Sequence, residues 1–369
     1  MLQDNKNIEK VPYAFESVIL KHPKEVEGLI SIIIPIYNVK LYLKEALDSV
    51  MTQTFENWEA ILVNDCSTDE SSEICLEYAK KDSRFKYIYK EHNEGQLFAR
   101  KTGLENTNGE FIAHLDADDA YHPQFLEKMF IKINENNNDF VYCNFEDLNG
   151  KEKFLYGKHI ETREYQLSEN KLENCLYFSS FGHAFLWNKL IRRSIFIKNL
   201  YPQINLTLNE DTVLSLQIIY HSKHAEFIPD SLYLLRIASA TSSSRTLNVS
   251  SEDKRRASRI LSMITSYSLM KQFFGADDAE LFFANELIHF SDCFFLSDKS
   301  IAYHKIEYAK NFIPAFSRGL SKSKTKKIRW AVLTLACKGF PQPFRILSKI
   351  KKIIDKILTW KKIYFFKEF

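Results

Sequence analysis

Glycine is scarce in this chain of 369 residues, which contains only 10. No segment repeats another and no stretch is of low complexity, so repeat architectures such as solenoids and collagen are excluded. No apolar run approaches the roughly 18 residues that a membrane-spanning helix needs, and we expect no such helix. The N-terminal segment, Met1 to Lys10, is polar and lacks the apolar core of a signal peptide, so we expect none.

Cysteine is also infrequent, and its spacing matches neither a disulfide framework nor a zinc site. The six cysteines form no Cys-x-x-Cys pair and have no histidine at ligand spacing. We therefore expect free thiols in a reducing compartment. The hydrophobic content of 45% is that of a globular protein, and the length allows one large or two medium domains. The cysteines are Cys66, Cys75, Cys143, Cys175, Cys293 and Cys337.

The small net charge of +3 conceals an uneven distribution of charge. Residues 321–369 contain 14 Lys or Arg but only two acids, Asp355 and Glu368, whereas residues 1–320 carry a net charge of −9. The sequence therefore predicts an acidic body followed by a basic tail.

Strand and helix patterns alternate from Leu29 to Phe145. Continuous apolar runs rich in β-branched residues are typical of strands buried on both faces of a parallel sheet. Short connections between alternating elements favour an α/β fold with a doubly wound, mostly parallel sheet. The predicted strands cover residues 29–36, 58–63, 85–89, 110–115 and 140–145, and the predicted helices cover 42–50, 70–81 and 94–105, with Ser67 or Thr68 as cap of the second helix.

Three carboxylates stand at the end of the fourth predicted strand. Asp116, Asp118 and Asp119 follow the apolar run 111–115 within four residues. Like charges this close repel by about 1–4 kcal/mol at a half-solvated site, so the cluster favours a bound cation. Carboxylate oxygens suit Mg²⁺ or Mn²⁺, and ligands of open α/β sheets bind at this edge. As an alternative, Asp118 and Asp119 begin the next helix, which accounts for one or two of the three acids.

Five short motifs occur along this part of the chain. They are Pro35-Ile36-Tyr37-Asn38, Asn64-Asp65 with Ser67-Thr68-Asp69, Asn93 with Gly95, Ala99-Arg100 with Gly103, and Asp116 with Asp118-Asp119. Further motifs follow at Trp187-Asn188-Lys189-Leu190, Arg192-Arg193-Ser194, Glu210-Asp211 and Tyr233 to Arg236 with Ser239. Taken together and in this order, the motifs resemble glycosyltransferase family 2 over about residues 29–245. The resemblance implies the GT-A fold.

The resemblance also implies where a donor nucleotide binds. Asp65 would accept the imide N–H of a uracil ring. Pro35, Tyr37 and Asn38 would flank the base and the ribose. Arg100 would offset the charge of the diphosphate. Each residue also has a structural alternative: an Asx turn for the aspartate, the end of a strand for the proline and the asparagine, and an exposed helical position for the arginine.

The metal and the catalytic base follow from the same resemblance. Asp116 would approach the ribose or the metal, with Ala117 beside it, and Asp118 would ligate the divalent cation. Transfer with inversion of the anomeric carbon needs a general base for the acceptor hydroxyl, and Asp211, next to Glu210, is the candidate. An acid at a helix start also stabilises the helix dipole, which is the structural alternative.

Four other residues complete the set of candidates. Trp187 and Lys189 would line the sugar or phosphate pocket, although an aromatic residue beside a cation is as often a core residue with a snorkelling neighbour. His114 and His183 lack ligand spacing, and we interpret both as structural.

The sequence predicts four regions. A polar lead-in covers residues 1–28, the transferase domain covers 29–245, a helical region covers 246–320, and a basic amphipathic tail covers 321–369. Within the domain, 29–145 would form the nucleotide-binding half and 146–245 the acceptor half. Apolar residues at helical spacing alternate with lysines in the tail, a pattern typical of a helix lying in a membrane interface. The alternative is a helix docked on the acidic body or on a partner.

We therefore expect an inverting glycosyltransferase that uses a UDP-sugar with Mg²⁺ or Mn²⁺ and acts on a saccharide or lipid-linked saccharide in bacterial surface glycan synthesis. It would lie in the cytoplasm, on the inner face of the cytoplasmic membrane, and would not bind nucleic acid. The sequence leaves a homodimer open. Two other functions compete with this expectation: a sugar-1-phosphate nucleotidylyltransferase, and a non-catalytic membrane-peripheral binding protein built on a transferase-like fold.

Overall fold

A computed structural model describes residues 15–148, 153–154, 164–167, 171–172, 174–175, 184–203, 206, 209–236, 262 and 265–275. Contacts divide the chain into two compact units, residues 1–269 and 270–369, and the sheet with its flanking helices belongs to the first. The predictions for the tail 321–369, for most of the region 246–320 and for His183 concern residues outside these described ranges. No helix among the described residues is long and apolar enough to cross a bilayer.

The described part of the first unit alternates strands and helices. The strands are β1 (Phe15–Ser17), β2 (Val26–Ile36), β3 (Trp58–Asn64), β4 (Phe85–Tyr89), β5 (Gly109–His114), β6 (Ala120–Tyr121), β7 (Phe140–Asp147), β8 (Lys153–Phe154), β9 (Glu164–Gln166), β10 (Lys189–Arg192), β11 (Leu200–Pro202) and β12 (His224–Leu235). The helices are α1 (Lys40–Met51), α2 (Ser71–Lys81), α3 (Gln96–Glu105), α4 (Phe125–Glu135), α5 (Arg193–Phe196) and α6 (Glu210–His221).

The first half of the main sheet is parallel, as the apolar runs predict. Strands β4, β3, β2 and β5 lie side by side in that order and all run in the same direction. Both faces are covered, and every residue of β3 is buried. Helix α1 buries Leu43, Ala46, Leu47 and Val50, the residues whose spacing predicts it. The α/β fold class is confirmed.

The predicted cap of α2 is wrong. No side chain caps this helix at its N-cap residue, Glu70. Instead, the carboxylate of Asp69 accepts the backbone N–H groups of Ser71 (3.0 Å) and Lys40 (3.1 Å). The hydroxyl of Ser67 accepts the N–H of Asn38 (3.1 Å), so it is engaged by the loop after β2 and not by the helix.

The second half of the sheet is mixed. Strand β10 lies between β5 and β7 and runs antiparallel to both. The sequence predicts the fifth strand, β7, as part of the parallel sheet. Strand β7 does run in the same direction as β5, but it pairs with β10 and with β12 and not with β5. Strand β6 pairs with the far side of β12, β8 pairs with β7, and β9 pairs with β12. A separate two-stranded sheet joins β1 to β11.

The cysteines that the structure describes are free thiols, as the sequence predicts. Cys75, Cys143 and Cys175 are buried, and burial raises the pKa of each thiol to about 12. These thiols therefore act as small apolar core residues.

The topology brings distant segments of the chain to one edge of the sheet. The parallel strands β2, β3 and β5 all end there, and each is followed by a loop with polar residues. The loop before β10 and the first turn of α6 meet the same edge, because β10 is inserted next to β5. A site at this edge therefore combines both halves of the sequence.

Candidate active site

A cleft of about 610 Å³ opens at the carboxyl edge of the parallel strands. Asp65, Asp118 and Asp211, which come from three well-separated segments of the sequence, share its wall. Ten of the predicted site residues line it: Pro35, Tyr37, Asp65, Arg100, Asp116, Ala117, Asp118, Trp187, Glu210 and Asp211. The other two predicted residues, Asn38 and Lys189, do not belong to that wall.

Arg100 lies at the centre of the carboxylates and is only 1% exposed. Its Nη1 atom is 2.8 Å from Oε1 of Glu210 and 3.0 Å from Oδ1 of Asp211. Its Nη2 atom is 2.9 Å from Oδ1 of Asp116. One guanidinium therefore joins α3 to the loop after β5 and to the first turn of α6. The predicted contact between Arg100 and a diphosphate stays a prediction.

Asp211 combines burial with an incompletely satisfied carboxylate. It is the second residue of α6, its side chain is 17% exposed, and its Oδ1 atom has the ion pair with Arg100 but no hydrogen bond within the described chain. Burial raises the pKa of Asp211 to about 7, and the charges of Glu210 and Asp116 add to this, while Arg100 opposes it. A carboxyl group with a pKa near 7 suits a general base that works at neutral pH.

The three aspartates after β5 have different surroundings. The Oδ1 atom of Asp116 accepts hydrogen bonds from Arg100 (2.9 Å) and from Nε2 of Gln96 (3.2 Å). Asp119 is buried, and its carboxylate accepts the hydroxyl of Tyr233 (2.8 Å) and the N–H of Arg236 (2.7 Å). Burial and the two neighbouring acids raise the pKa of Asp119.

Asp116 and Asp118 are half-buried on the cleft wall, whereas Asp119 on the same wall is 3% exposed, so the first two are the acids that a divalent cation in the cleft could reach. Among the described residues, no three His, Cys, Asp or Glu side chains come together as a metal site of their own. Two carboxylates are what a protein offers to Mg²⁺ when substrate phosphates supply further oxygens, so the donor set fits a metal that binds together with a nucleotide.

Another part of the cleft wall is built by Asp65 and the loop that leads into α3. Its carboxylate accepts the backbone N–H groups of Glu94 (3.1 Å) and Gly95 (2.7 Å) and lies 3.5 Å from Nζ of Lys90. Gly95 has a φ of +86°, which favours glycine at this position. Asn38 also holds a loop, because its Oδ1 atom accepts the N–H of Thr68 (2.7 Å).

Stacked aromatic rings form the wall on the side of Asp211. Trp187 is stacked between Phe185 and Tyr233, with ring centroids 4.6 and 4.3 Å away. Phe145 meets the edge of this stack, 4.9 Å from Trp187. Lys189, two residues after the tryptophan, is 1% exposed and lies behind this wall.

Three residues of the site had no role in the sequence-based prediction. Gln96 supports Asp116, and nothing in the local sequence distinguishes it from an ordinary first-turn residue. Tyr233 and Arg236 belong to a motif of the family resemblance, which was the signal that could have identified them. Their contacts with Asp119 come from β12 and from the residue that follows it, more than a hundred residues later.

His114, the last residue of β5, is fully buried beside the site. Both of its ring nitrogens lack hydrogen-bond partners, and the ring packs edge-on against Phe196 at 5.2 Å. Burial, together with the charges of Arg100 and Lys189, lowers the pKa of His114 well below its usual value. These surroundings are those of a neutral core residue.

Comparison with known proteins identifies relatives of the chain. A family model described as glycosyl transferase family 2 matches residues 31–200. Glycosyltransferase GlyA of Streptococcus pneumoniae serotype 4 is 35% identical over 219 residues, which is 58% of this chain and 31% of GlyA. Glycosyltransferase GlyG of the same organism is 30% identical over 214 residues, which is 56% of this chain and 70% of GlyG. The chain thus spans less than a third of the length of GlyA.

A solved structure shares the fold. The crystal structure of S. aureus TarS residues 1–349 in complex with UDP-GlcNAc superposes with a TM-score of 0.68. The two sequences are 20% identical, and the match covers 88% of this chain and 91% of the TarS chain.

Replacement of Arg100 by Met tests its role in the carboxylate cluster. We expect R100M to lower the free energy of unfolding by about 3–5 kcal/mol, because buried carboxylates lose their shared cation. The loss should be greater at pH 8 than at pH 5, since Asp211, with its raised pKa, is ionised at the higher pH and protonated at the lower. Urea unfolding at both pH values measures this.

K44M is the control for this experiment. It removes an exposed lysine that pairs with Glu77 at 3.2 Å, and such pairs contribute about 0–1 kcal/mol. Equal losses in the two variants at both pH values would show that Arg100 does not organise the buried charges.

Proposed function

This chain belongs to glycosyltransferase family 2, and we propose that it transfers a sugar from a nucleotide-diphosphate sugar to the hydroxyl group of an acceptor. The observation that carries the proposal is the shared cleft. Asp65, the Asp116–Asp118 pair and Asp211 come from different parts of the chain and line one cavity of about 610 Å³. The wall offers Asp65 for a nucleotide base, the Asp116–Asp118 pair for a diphosphate with its cation, and Asp211 as a proton acceptor.

The proposed donor is a UDP-sugar. The carboxylate of Asp65 is held by two backbone N–H groups, so its orientation is set before a base binds. A fixed carboxylate is suited to accept the imide N–H of uracil. TarS, which shares the fold, was crystallised with UDP-GlcNAc, and this supports a uridine nucleotide here. Pro35 and Tyr37 on the same wall would flank the base and the ribose.

The diphosphate would be held next to Asp116 and Asp118 together with Mg²⁺ or Mn²⁺. When bound, the cation would neutralise the charge that develops on the leaving nucleotide. Arg100 and Gln96 orient Asp116, and Tyr233 and Arg236 hold the neighbouring Asp119 in the protein interior.

Asp211 is the proposed general base of an inverting transfer. Its carboxylate would take the proton of the acceptor hydroxyl while the acceptor oxygen attacks the anomeric carbon and the nucleotide diphosphate departs. Glu210 shares the cation of Arg100 with Asp211 and so helps to place it. The proposed acceptor is a saccharide or a lipid-linked saccharide of a bacterial surface glycan.

The variant D211N tests the base. UDP release from a panel of UDP-sugars in the presence of Mn²⁺ should fall by about 10²–10⁴-fold, because the amide cannot accept the proton. For the wild-type chain, kcat/KM should rise with pH through about 7, since only the ionised form of Asp211 acts as a base. UDP affinity, measured by calorimetry, should change little.

D230N is a matched control, since Asp230 is an exposed acid on β12 outside the cleft. If wild-type protein binds UDP but releases none from any donor, the binding-module alternative is favoured. If it forms a nucleoside triphosphate from the donor and pyrophosphate, it is a nucleotidylyltransferase.

A second variant, D118N, tests the metal. We expect it to weaken UDP binding at least tenfold in Mn²⁺ and to leave the weak binding in EDTA unchanged, because Asp118 would act through the cation. Calorimetric titration with UDP under both conditions, on D118N and on D230N, measures this. Equal metal dependence in D118N and wild type would remove Asp118 from the proposed site.

We further propose that residues 321–369 bind an anionic membrane. Each Lys near such a surface contributes about 1 kcal/mol, so the triple variant K351E/K352E/K356E of the full chain should bind at least a hundredfold less to vesicles containing phosphatidylglycerol. The matched control is K80E/K81E, at the exposed end of α2. Unchanged sedimentation of the triple variant with these vesicles would favour the alternative, a tail that docks on the body or on a partner.

A further inference from the structure

Lys189 has contacts that do not fit a sugar or phosphate ligand. Its side chain is 1% exposed and is absent from the cleft wall, although the sequence predicts it there. The Nζ atom donates to the backbone carbonyl of Phe185, and it lies 3.3 Å from Oδ1 of Asn188. The backbone N–H of Lys189 donates to the carbonyl of Leu186 (3.1 Å). One residue thus closes a turn formed by residues 185–189.

Helix α6 and strand β7 both hold this turn and the residue before it. From α6, the hydroxyl of Ser215 donates to the carbonyl of Ala184 (2.6 Å). From β7, the N–H of Cys143 donates to the carbonyl of Asn188 (3.1 Å), and Nδ2 of Asn188 donates to the carbonyl of Cys143 (2.9 Å). The turn is therefore a fixed connection between the sheet and the helix that carries Asp211.

The turn contributes directly to the cleft. It presents Phe185 and Trp187 to the wall that Asp211 also lines, and the backbone N–H of Leu186 interacts with Asp211, where it favours the ionised carboxylate and lowers its pKa. Because Lys189 binds the carbonyls on both sides of this N–H, its position determines where the N–H points. Burial lowers the pKa of Lys189 to about 7, and the nearby charge of Asp211 opposes this by favouring the protonated lysine.

We propose that Lys189 is a positioning residue, which holds the 185–189 turn so that the N–H of Leu186 supports the carboxylate of Asp211, and that it does not bind the donor. The inference rests on the proposed function, in which Asp211 is the base. Lys189 then acts on the proton transfer and not on donor affinity.

The charged groups around Asp211 come from four elements. Arg100 approaches from α3, Asp116 from the loop after β5, Glu210 from α6 itself, and Lys189 from β10. Loss of the lysine removes a positive charge and loosens the N–H donor, and both changes favour the protonated form of Asp211. The pKa of Asp211 should therefore rise in a variant without the ammonium.

The variants K189M and K189R test the proposal in a UDP-release assay with Mn²⁺. In K189M we expect kcat to fall at least tenfold, the KM for the UDP-sugar to stay within about twofold, and the acid limb of the kcat/KM profile to move up by about half a pH unit or more. K189R should recover part of kcat. K198M, at an exposed lysine after α5, is the control and should behave as wild type.

A stability measurement provides a readout that needs no turnover. The difference in unfolding free energy between the wild type and D211N changes with pH where Asp211 titrates in the folded state. The difference in unfolding free energy between K189M and K189M/D211N should change at a higher pH than this, because the pKa of Asp211 should be higher without the lysine. If K189M does not fold, S215A loosens the turn from α6 and should lower kcat without raising KM.

The outcomes separate the two hypotheses. A raised KM for the donor in K189M with an unmoved acid limb would show that Lys189 binds substrate, and would overturn the inference while leaving the transferase in place. The inference would also be overturned if the difference in unfolding free energy between K189M and K189M/D211N changed at the same pH as the difference between the wild type and D211N. Absence of both UDP binding and UDP release in the wild type would instead overturn the proposed function.

Discussion

The site depends on one buried cation shared by three carboxylates. Arg100 contacts Asp116, Glu210 and Asp211 within 3.0 Å, and these acids come from the two halves of the first unit. Separation of a buried charge from its partners is costly, so the guanidinium fixes the first turn of α6 against the end of β5. Three carboxyl groups on one cation leave an excess of acids over cations at this wall.

The mixed sheet makes this arrangement possible. A purely parallel sheet would have placed β7 next to β5, but β10 takes that position and runs in the opposite direction. The turn before β10 therefore reaches the carboxyl edge of the sheet, where the parallel strands also end. Phe185, Trp187 and the peptide of Leu186 thereby lie beside the carboxylate of Asp211, which the chain supplies only after β10, α5 and β11.

Burial gives the carboxylates of the cleft different properties. Asp119 is 3% exposed and accepts hydrogen bonds from Tyr233 and from the backbone of Arg236, whereas Asp118, one residue earlier on the same cleft wall, is half-buried. Asp211 is kept near a pKa of about 7 by burial, with Arg100 opposing the effect of burial. In this way, similar side chains become suited to structure, to cation binding and to proton transfer.

Local patterns in the sequence were sufficient for the parallel half of the sheet and for the edge at which the site lies. A strand buried on both faces requires a continuous apolar run, and the helices carry their buried residues at helical spacing, as Leu43, Ala46, Leu47 and Val50 do. Because parallel strands end at one edge, the residues after them converge, and Asp65, Asp116 and Asp118 line one cleft. Only the tertiary structure decided the partners of Arg100, the insertion of β10, and the burial of Lys189 behind the wall that Trp187 lines. Those features depend on contacts between residues far apart in the chain and on the direction in which a side chain points, neither of which local periodicity determines.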